Sequence, residues 1–265
     1  MPTETPQKKE ASELFEACFS GNMELVRFLV EGQGCDVNIK DEEGNSVLMF
    51  ASYSDRMEVI EYLIEKGIDV NSANSQGFTV LMQASENGRQ NIVTKLIESH
   101  ADVNAKEANG YSAIKFACER GHFPIVKYLY EHAADINASD NNGNTIFMYA
   151  VSGSDLDIVK YVASRCHDIN DKNKFGQNAL MFAAESSNLR VVTYLVSDLS
   201  FGVNTHNDFG RTPLMAAAEK GKLDILIFLV EHGADIHVLD KKEMDALAYA
   251  RKGKHRGIID YLSSI

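Results

Sequence analysis

Nowhere in the 265 residues do eighteen apolar residues run together, so no membrane-spanning helix is expected. The opening stretch, MPTETPQKKEAS, lacks the apolar core of a secretory leader. Cysteine is scarce: Cys18, Cys35, Cys118 and Cys166 stand 17, 83 and 48 residues apart, which fits no zinc or redox motif. Cys18, Cys118 and Cys166 fall where neighbouring segments carry small apolar residues. Buried reduced thiols are therefore expected, and with them a reducing compartment, the cytoplasm or the nucleus. No glycine-rich phosphate loop, nucleotide fingerprint or Gly-x-Ser-x-Gly elbow occurs. Paired carboxylates fall only on turns and solvent faces. No enzymatic activity, cofactor or metal is expected.

Positive charge is also in short supply. Lys and Arg total 26 against 38 Asp and Glu, a net charge of −12. An acidic surface repels phosphate backbones, so nucleic acid is not an expected partner. The excess is uneven: residues 1–132 hold 12 basic against 21 acidic residues (−9), residues 133–265 hold 14 against 17 (−3). Two readings stay open, solubility and the steering of a basic partner to the N-terminal half.

What the chain does contain is a period. The stretch NDFGRTPLMAAAEKGKLDILIFLVEHGADIH, residues 207–237, reads as turn, short helix, turn and second helix. Thr212 is placed to cap the first helix, with Pro213 at its first position. The same grammar recurs upstream. Turn glycines fall at Gly44, Gly77, Gly110, Gly143, Gly176 and Gly210, at intervals of 33, 33, 33, 33 and 34. Asn38, Asn71, Asn104, Asn137, Asn170 and Asn204, then His237, keep a second clock of 33, 33, 33, 33, 34 and 33. Both place one inserted residue in the same repeat, in the loop Ser197 to Asn204.

Apolar pairs recur in each second helix, from Val59-Ile60 through Ile92-Val93, Ile125-Val126, Ile158-Val159, Val191-Val192 and Ile225-Leu226 to Ile258-Ile259. An aromatic follows three positions on at Tyr62, Tyr128, Tyr161, Tyr194, Phe228 and Tyr261, which puts these residues on one stripe. Helices of about ten residues are not stable alone, so they must stack. The expected organisation is a disordered tail over 1–9 and a cap over 10–40. Six full repeats follow at 41–73, 74–106, 107–139, 140–172, 173–206 and 207–239, then a cap over 240–265. The last unit puts Glu243 in the glycine slot and gathers Lys and Arg, as a solvated end requires. His100, His132 and His232 read as helix C-terminal residues favoured by the dipole.

A turn and two helices every 33 residues resembles the ankyrin-repeat family, over residues 10–265. The family's Thr-Pro-Leu-His survives only as Thr212-Pro213-Leu214. Ser46, Thr79, Ser112, Thr145 and Asn178 keep a capping residue in the first position. Met49, Met82, Met148, Met181 and Met215 replace the histidine, with Lys115 the exception. In the family that histidine ties repeats together by hydrogen bonds, so packing is expected to substitute here.

The resemblance implies an all-α solenoid of stacked helix pairs joined by short β-hairpins. It also implies partner binding on a concave face of hairpin tips and inner helices. In some members the repeat asparagine is hydroxylated, which could extend to these positions. Transferred to this chain, the binding residues are those flanking the hairpin glycine and closing the inner helix: Tyr53, Phe78, Tyr111, Arg120, Lys174, Phe175, Phe209 and Arg211. Aromatic residues and arginine dominate interface hot spots. The opposing reading is that a hairpin aromatic lies on its neighbour. The implied function is a monomeric adaptor or scaffold for a protein partner. A structural component of a cytoskeletal or membrane-associated assembly, or an inhibitor of a partner enzyme, remains open.

Overall fold

The computed structural model describes residues 6–153 and 155–265. Among them are sixteen α-helices and no β-strand. The chain falls into two compact units, Met1–Asp135 and Ile136–Ile265, each built from four antiparallel helix pairs. In the first, the inner helices are α1 (Pro6–Ser20), α3 (Val47–Tyr53), α5 (Val80–Glu86) and α7 (Ala113–Glu119). The outer ones are α2 (Met23–Arg27), α4 (Met57–Glu65), α6 (Gln90–Glu98) and α8 (Phe123–Glu131). In the second, α9 (Ile146–Gly153), α11 (Ala179–Glu185), α13 (Pro213–Lys220) and α15 (Ala246–Gly253) are inner. Their outer partners are α10 (Leu156–Ala163), α12 (Leu189–Thr193), α14 (Leu223–Glu231) and α16 (Arg256–Leu262). The first helix begins at Pro6, ahead of the expected start near Glu10; residues 1–5 of the expected tail lie outside the described residues.

The inner helices start where the sequence supplies an acceptor. Thr79, Thr145, Asn178 and Thr212 each accept a hydrogen bond from the backbone N–H three residues on, at Met82, Met148, Met181 and Met215. Asp245 does the same for Ala248 at 2.7 Å. Ser46 and Ser112 occupy the slot without making that bond. At Met215 the sulfur takes the Thr212 N–H at 3.5 Å, so this thioether serves as an acceptor as well as filler.

All five methionines of the slot are buried, as is every outer-helix apolar pair except Ile259, which is half-buried. Each such side chain contributes about 1.5–3 kcal/mol on burial. The aromatic three positions after the pair is half-buried except at Tyr62. The fully covered position is one further on, at Leu63, Leu96, Leu129, Val162, Leu195 and Leu229.

The inserted residue is taken up by helix geometry. From the second residue of the outer pair to the loop asparagine the distance is 11 residues for Ile60–Asn71, Val93–Asn104, Val126–Asn137 and Val159–Asn170. It is 12 for Val26–Asn38 and Val192–Asn204. Those two outer helices alone, among the described residues, continue into a π-helical turn, Phe28–Gly32 and Tyr194–Asp198. A π turn absorbs one extra residue. The expected loop insertion at 197–204 therefore begins inside the helix. Phe201, carried inward behind the turn, is buried with its ring centroid 6.4 Å from that of Phe147.

Within each unit, repeats are tied by polar groups as well as by packing. Asn38, Asn71 and Asn104 accept the backbone N–H of Asp69, Asp102 and Asp135 in the next repeat at 2.7–2.8 Å. Asn137 and Asn204 do likewise for His167 and Asp235. His122 and His255 donate from Nε2 to the carbonyls of Glu86 and Glu219 in the preceding inner helix, both at 2.9 Å. Packing alone does not replace the missing family histidine: these two histidines, from another slot, supply such bonds. Gly221 explains the close approach. Its φ is +72°, and a Cβ there would stand 2.6 Å from the His255 ring.

Candidate functional site: hairpin tips and inner helices

Each hairpin is organised by its first residue. Asp41, Asn74, Glu107, Asp140, Asn173, Asn207 and Asp240 keep the same period as the turn glycine three positions on. One side-chain oxygen of each accepts two backbone N–H groups, two and four residues ahead; Asn207, for example, takes Phe209 and Arg211, both at 3.0 Å. This closes the turn around a left-handed residue, Gly210 at φ +78° or Glu243 at φ +57°. The expected hairpins shrink to single bridges: Lys40 with Ser46, Ala73 with Thr79 and Ser139 with Thr145. Successive tips are joined by one backbone bond. In the first unit Ser75 and Ala108 donate to Glu43 and Gln76. In the second, Lys174, Asp208 and Lys241 donate to Asn142, Phe175 and Phe209 at 2.8–3.0 Å.

The two sides of the glycine are not equivalent. The residue before it is exposed in all seven turns: Glu43, Gln76, Asn109, Asn142, Phe175, Phe209 and Lys242. The residue after it is half-buried in all seven: Asn45, Phe78, Tyr111, Asn144, Gln177, Arg211 and Met244. The left-handed residue reverses the chain between them, so one side chain stays at the tip and the next turns onto the inner helices.

This divides the expected binding residues. Phe78 and Tyr111 both pack edge-on against Phe116 of α7, with centroids 5.4 and 5.9 Å away. Beside them Lys115, buried in the methionine slot, puts its ammonium 4.1 Å from the Tyr111 ring and 2.7 Å from Glu119 Oε2. Paired to a carboxylate and lying on an aromatic face, this lysine is a packing element. Arg120 bridges to Glu86 of the previous inner helix at 2.6 Å. Tyr53, at the end of α3, is 59% exposed and stacks on Phe19, itself 46% exposed, with centroids 6.3 Å apart. Together with Asn45, Met49, Phe50 and Gln83 they line a cleft of about 280 Å³.

In the second unit, Phe175 and Phe209 stand at the tips, 42% and 52% exposed, and Lys174 is exposed next to Phe175. Arg211 turns inward. It bridges to Glu219 of α13 and lies 4.6 Å over the ring of Tyr249. Tyr249 donates to Asp240 Oδ2 at 2.6 Å, while Asp240 Oδ1 accepts from Lys242 and Met244. Lys252 approaches the other Glu219 oxygen at 3.6 Å. These groups surround a cleft of about 380 Å³ with Phe209 at its edge.

The ionisation follows from the partners. Burial pushes the Tyr249 phenol up to about 12, reinforced by its bond to Asp240. Burial alone would raise Asp240 and Glu219. The Tyr249 hydroxyl and two backbone N–H groups outweigh it at Asp240, and Arg211 and Lys252 outweigh it at Glu219, so both stay below the usual carboxylate range.

Phe19, Phe116 and Tyr249 belong to the candidate site by their contacts, and the glycine-flanking rule does not find them. The signal for the last two is a column at inner-helix spacing: Phe50, Phe116, Tyr149, Phe182 and Tyr249 fall at 33-residue multiples, allowing for the insertion. Cys18 and Cys118 are fully buried, and burial pushes the Cys18 thiol up to about 12. Cys166, expected buried, is half-exposed, as is Cys35. His132 and His232 donate from Nδ1 to the carbonyls of Tyr128 and Phe228 at 2.8 Å, capping their helices. His100 is one position out of step. It takes the left-handed conformation, at φ +67°, that Ala133 and Gly233 hold in the other two repeats. Among the described residues, no group of His, Cys, Asp and Glu is arranged to hold a metal, and no helix is long and apolar enough to cross a membrane.

Comparison with known proteins agrees with this architecture. A family profile described as ankyrin repeats (3 copies) matches residues 14–107, 92–173, 157–240 and 180–264. A 59-residue stretch is 37% identical to ankyrin repeat and SAM domain-containing protein 6 of Danio rerio. That match takes in 22% of this chain and 8% of the relative, so the chain spans far less than two thirds of that protein. Ankyrin repeats are generally protein–protein interaction modules and are typically non-catalytic. With matches from residue 14 to residue 264 and helix pairs recurring every 33 or 34 residues, the chain belongs to the ankyrin-repeat family.

Proposed function

We propose that residues 10–265 act as one non-catalytic ankyrin domain, an adaptor that holds a partner protein against hairpin tips and inner helices. One observation carries this reading. Phe19, Tyr53, Phe175 and Phe209 are left open to solvent at those places, while the other inner-helix and hairpin aromatics are covered or half-covered. Large rings lose little conformational freedom when a partner covers them, which suits them as anchors. Within each unit, tips already joined by backbone bonds limit the ordering cost of association. The acidic excess of residues 1–132 favours approach by a basic surface of the partner. The domain works as a monomer in the cytoplasm, where its free thiols stay reduced.

Affinity capture on the wild type and on two double variants, Phe19→Ala/Tyr53→Ala and Phe175→Ala/Phe209→Ala, tests this reading. Each variant is expected to lose partner recovery by about tenfold or more, with helical circular dichroism unchanged. Unchanged recovery by both would overturn the assignment of the binding face.

A further inference from the structure

Resting on the reading that this domain binds protein, we infer that the cleft between the last two hairpins docks an extended acidic segment of a partner, with an apolar side chain against Phe209. The chain as a whole is strongly acidic, yet residues 240–265 hold six Lys and Arg against four Asp and Glu. Three of those cations, Lys241, Lys242 and Lys252, line the cleft described above. Its two acids are already engaged: Asp240 accepts the Tyr249 hydroxyl and two backbone N–H groups, and Glu219 is held by Arg211 and Lys252.

The cations are not matched in the same way. Lys241 and Lys242 are exposed on the last tip and make no ion pair among the described residues. Arg211 commits one nitrogen to Glu219, and a guanidinium carries five N–H donors. Arg211, Lys241, Lys242 and Lys252 line the cleft against the two carboxylates Glu219 and Asp240, so its net charge is positive. The Lys241 N–H, bonded to the Phe209 carbonyl at 2.9 Å, sets those lysines beside the exposed ring. Carboxylates a few residues apart on an extended chain would meet Lys241, Lys242 and Arg211 in turn. Tyr249 stays protonated at neutral pH because burial and Asp240 hold its phenol up at about 12, so it adds no negative charge.

The test uses the full chain and a fluorescein-labelled peptide of Glu and Ser with one central Phe. Two controls carry Gln or Lys in place of Glu. By fluorescence anisotropy the Glu peptide is expected to bind about tenfold tighter than the Gln peptide, and to weaken as salt rises. Lys241→Glu/Lys242→Glu should lose that preference and shift it toward the Lys peptide. Both lysines are exposed, so an unchanged thermal melt would confirm an intact fold. Equal binding of the Glu and Gln peptides, or an unaltered preference in the variant, overturns the inference. So does a DNA oligonucleotide of equal charge binding as tightly, which would mark a general polyanion patch. A wild-type dimer that the variant dissociates, with no peptide bound, overturns it in favour of a second copy of this chain. A wild type that captures partner protein but binds no peptide refutes this inference and leaves the binding reading standing. Failure in both assays refutes the two together.

Discussion

Phe78 and Phe209 each stand one residue from a turn glycine, and they end in different environments. Phe78 follows its glycine and lies edge-on against Phe116; Phe209 precedes its glycine and is half open to solvent. Tyr111 and Phe175 repeat the contrast. The difference is one of backbone geometry, since the left-handed residue sends consecutive side chains to opposite sides of the turn. An aromatic after the glycine therefore packs against the fold, and one before it stays open to solvent. In the first unit the tips before the glycine are polar, and the exposed rings sit instead at the ends of the inner helices, at Phe19 and Tyr53.

The largest effect that this contrast predicts falls on the support itself. Phe116→Ala removes the ring that Phe78, Tyr111 and Lys115 all touch, and at 8% exposure the space cannot be filled by water without cost. A loss of about 3 kcal/mol is expected in denaturant unfolding. A loss under about 1 kcal/mol would mean that the two hairpin rings hold their place without it.

A smaller effect separates the two sides of the turn directly. Phe78→Ala and Tyr111→Ala are each expected to cost about 1–2 kcal/mol, for half-buried rings in edge-on contact. Phe175→Ala and Phe209→Ala should change stability by no more than about 0.5 kcal/mol. Thermal unfolding of the four single variants gives the comparison. Equal losses across the set would break the rule that the position relative to glycine decides the role.

That rule shows where sequence reasoning reached and where it stopped. The glycine and asparagine clocks, the capping residues and the outer-helix pairs are legible because each depends on its own few neighbours. Thr212, Pro213 and Met215 sit in the structure where local propensity places them. Which way a hairpin side chain points depends on the handedness of the residue beside it. Taking Phe78 and Phe209 together as flanking aromatics hides that dependence. The insertion is similar. Two clocks count the extra residue correctly, but only hydrogen bonding reveals that a π turn at Tyr194–Asp198 absorbs it. The same one-residue excess from Val26 to Asn38, visible in the sequence, marks the other π turn. The aromatic column through Phe116 and Tyr249 is equally periodic. It escapes a search centred on the hairpins because it lies on the inner helices.

The smallest effect compares the two supports in that column. Phe116 holds its hairpin side chains by its ring alone, whereas Tyr249 carries Arg211 on its ring and also donates to the buried Asp240. Tyr249→Phe keeps the ring and removes the hydroxyl, so it should cost about 1 kcal/mol at neutral pH, the value of one hydrogen bond to a buried acceptor. The cost should vary with pH. Asp240 titrates below its unfolded value of about 3.9, so its contribution is present above that pH and is lost as pH falls through the lower folded value. Tyr249 titrates at about 12, above the unfolded value of about 10, so its contribution is present below pH 10 and is lost as pH rises toward 12. Wild type and variant melting temperatures should therefore differ most between about pH 5 and pH 9 and converge in strong base. A gap that stays constant from neutral pH into strong base would show that the hydroxyl contributes only its volume, and that Tyr249 supports its hairpin as Phe116 does.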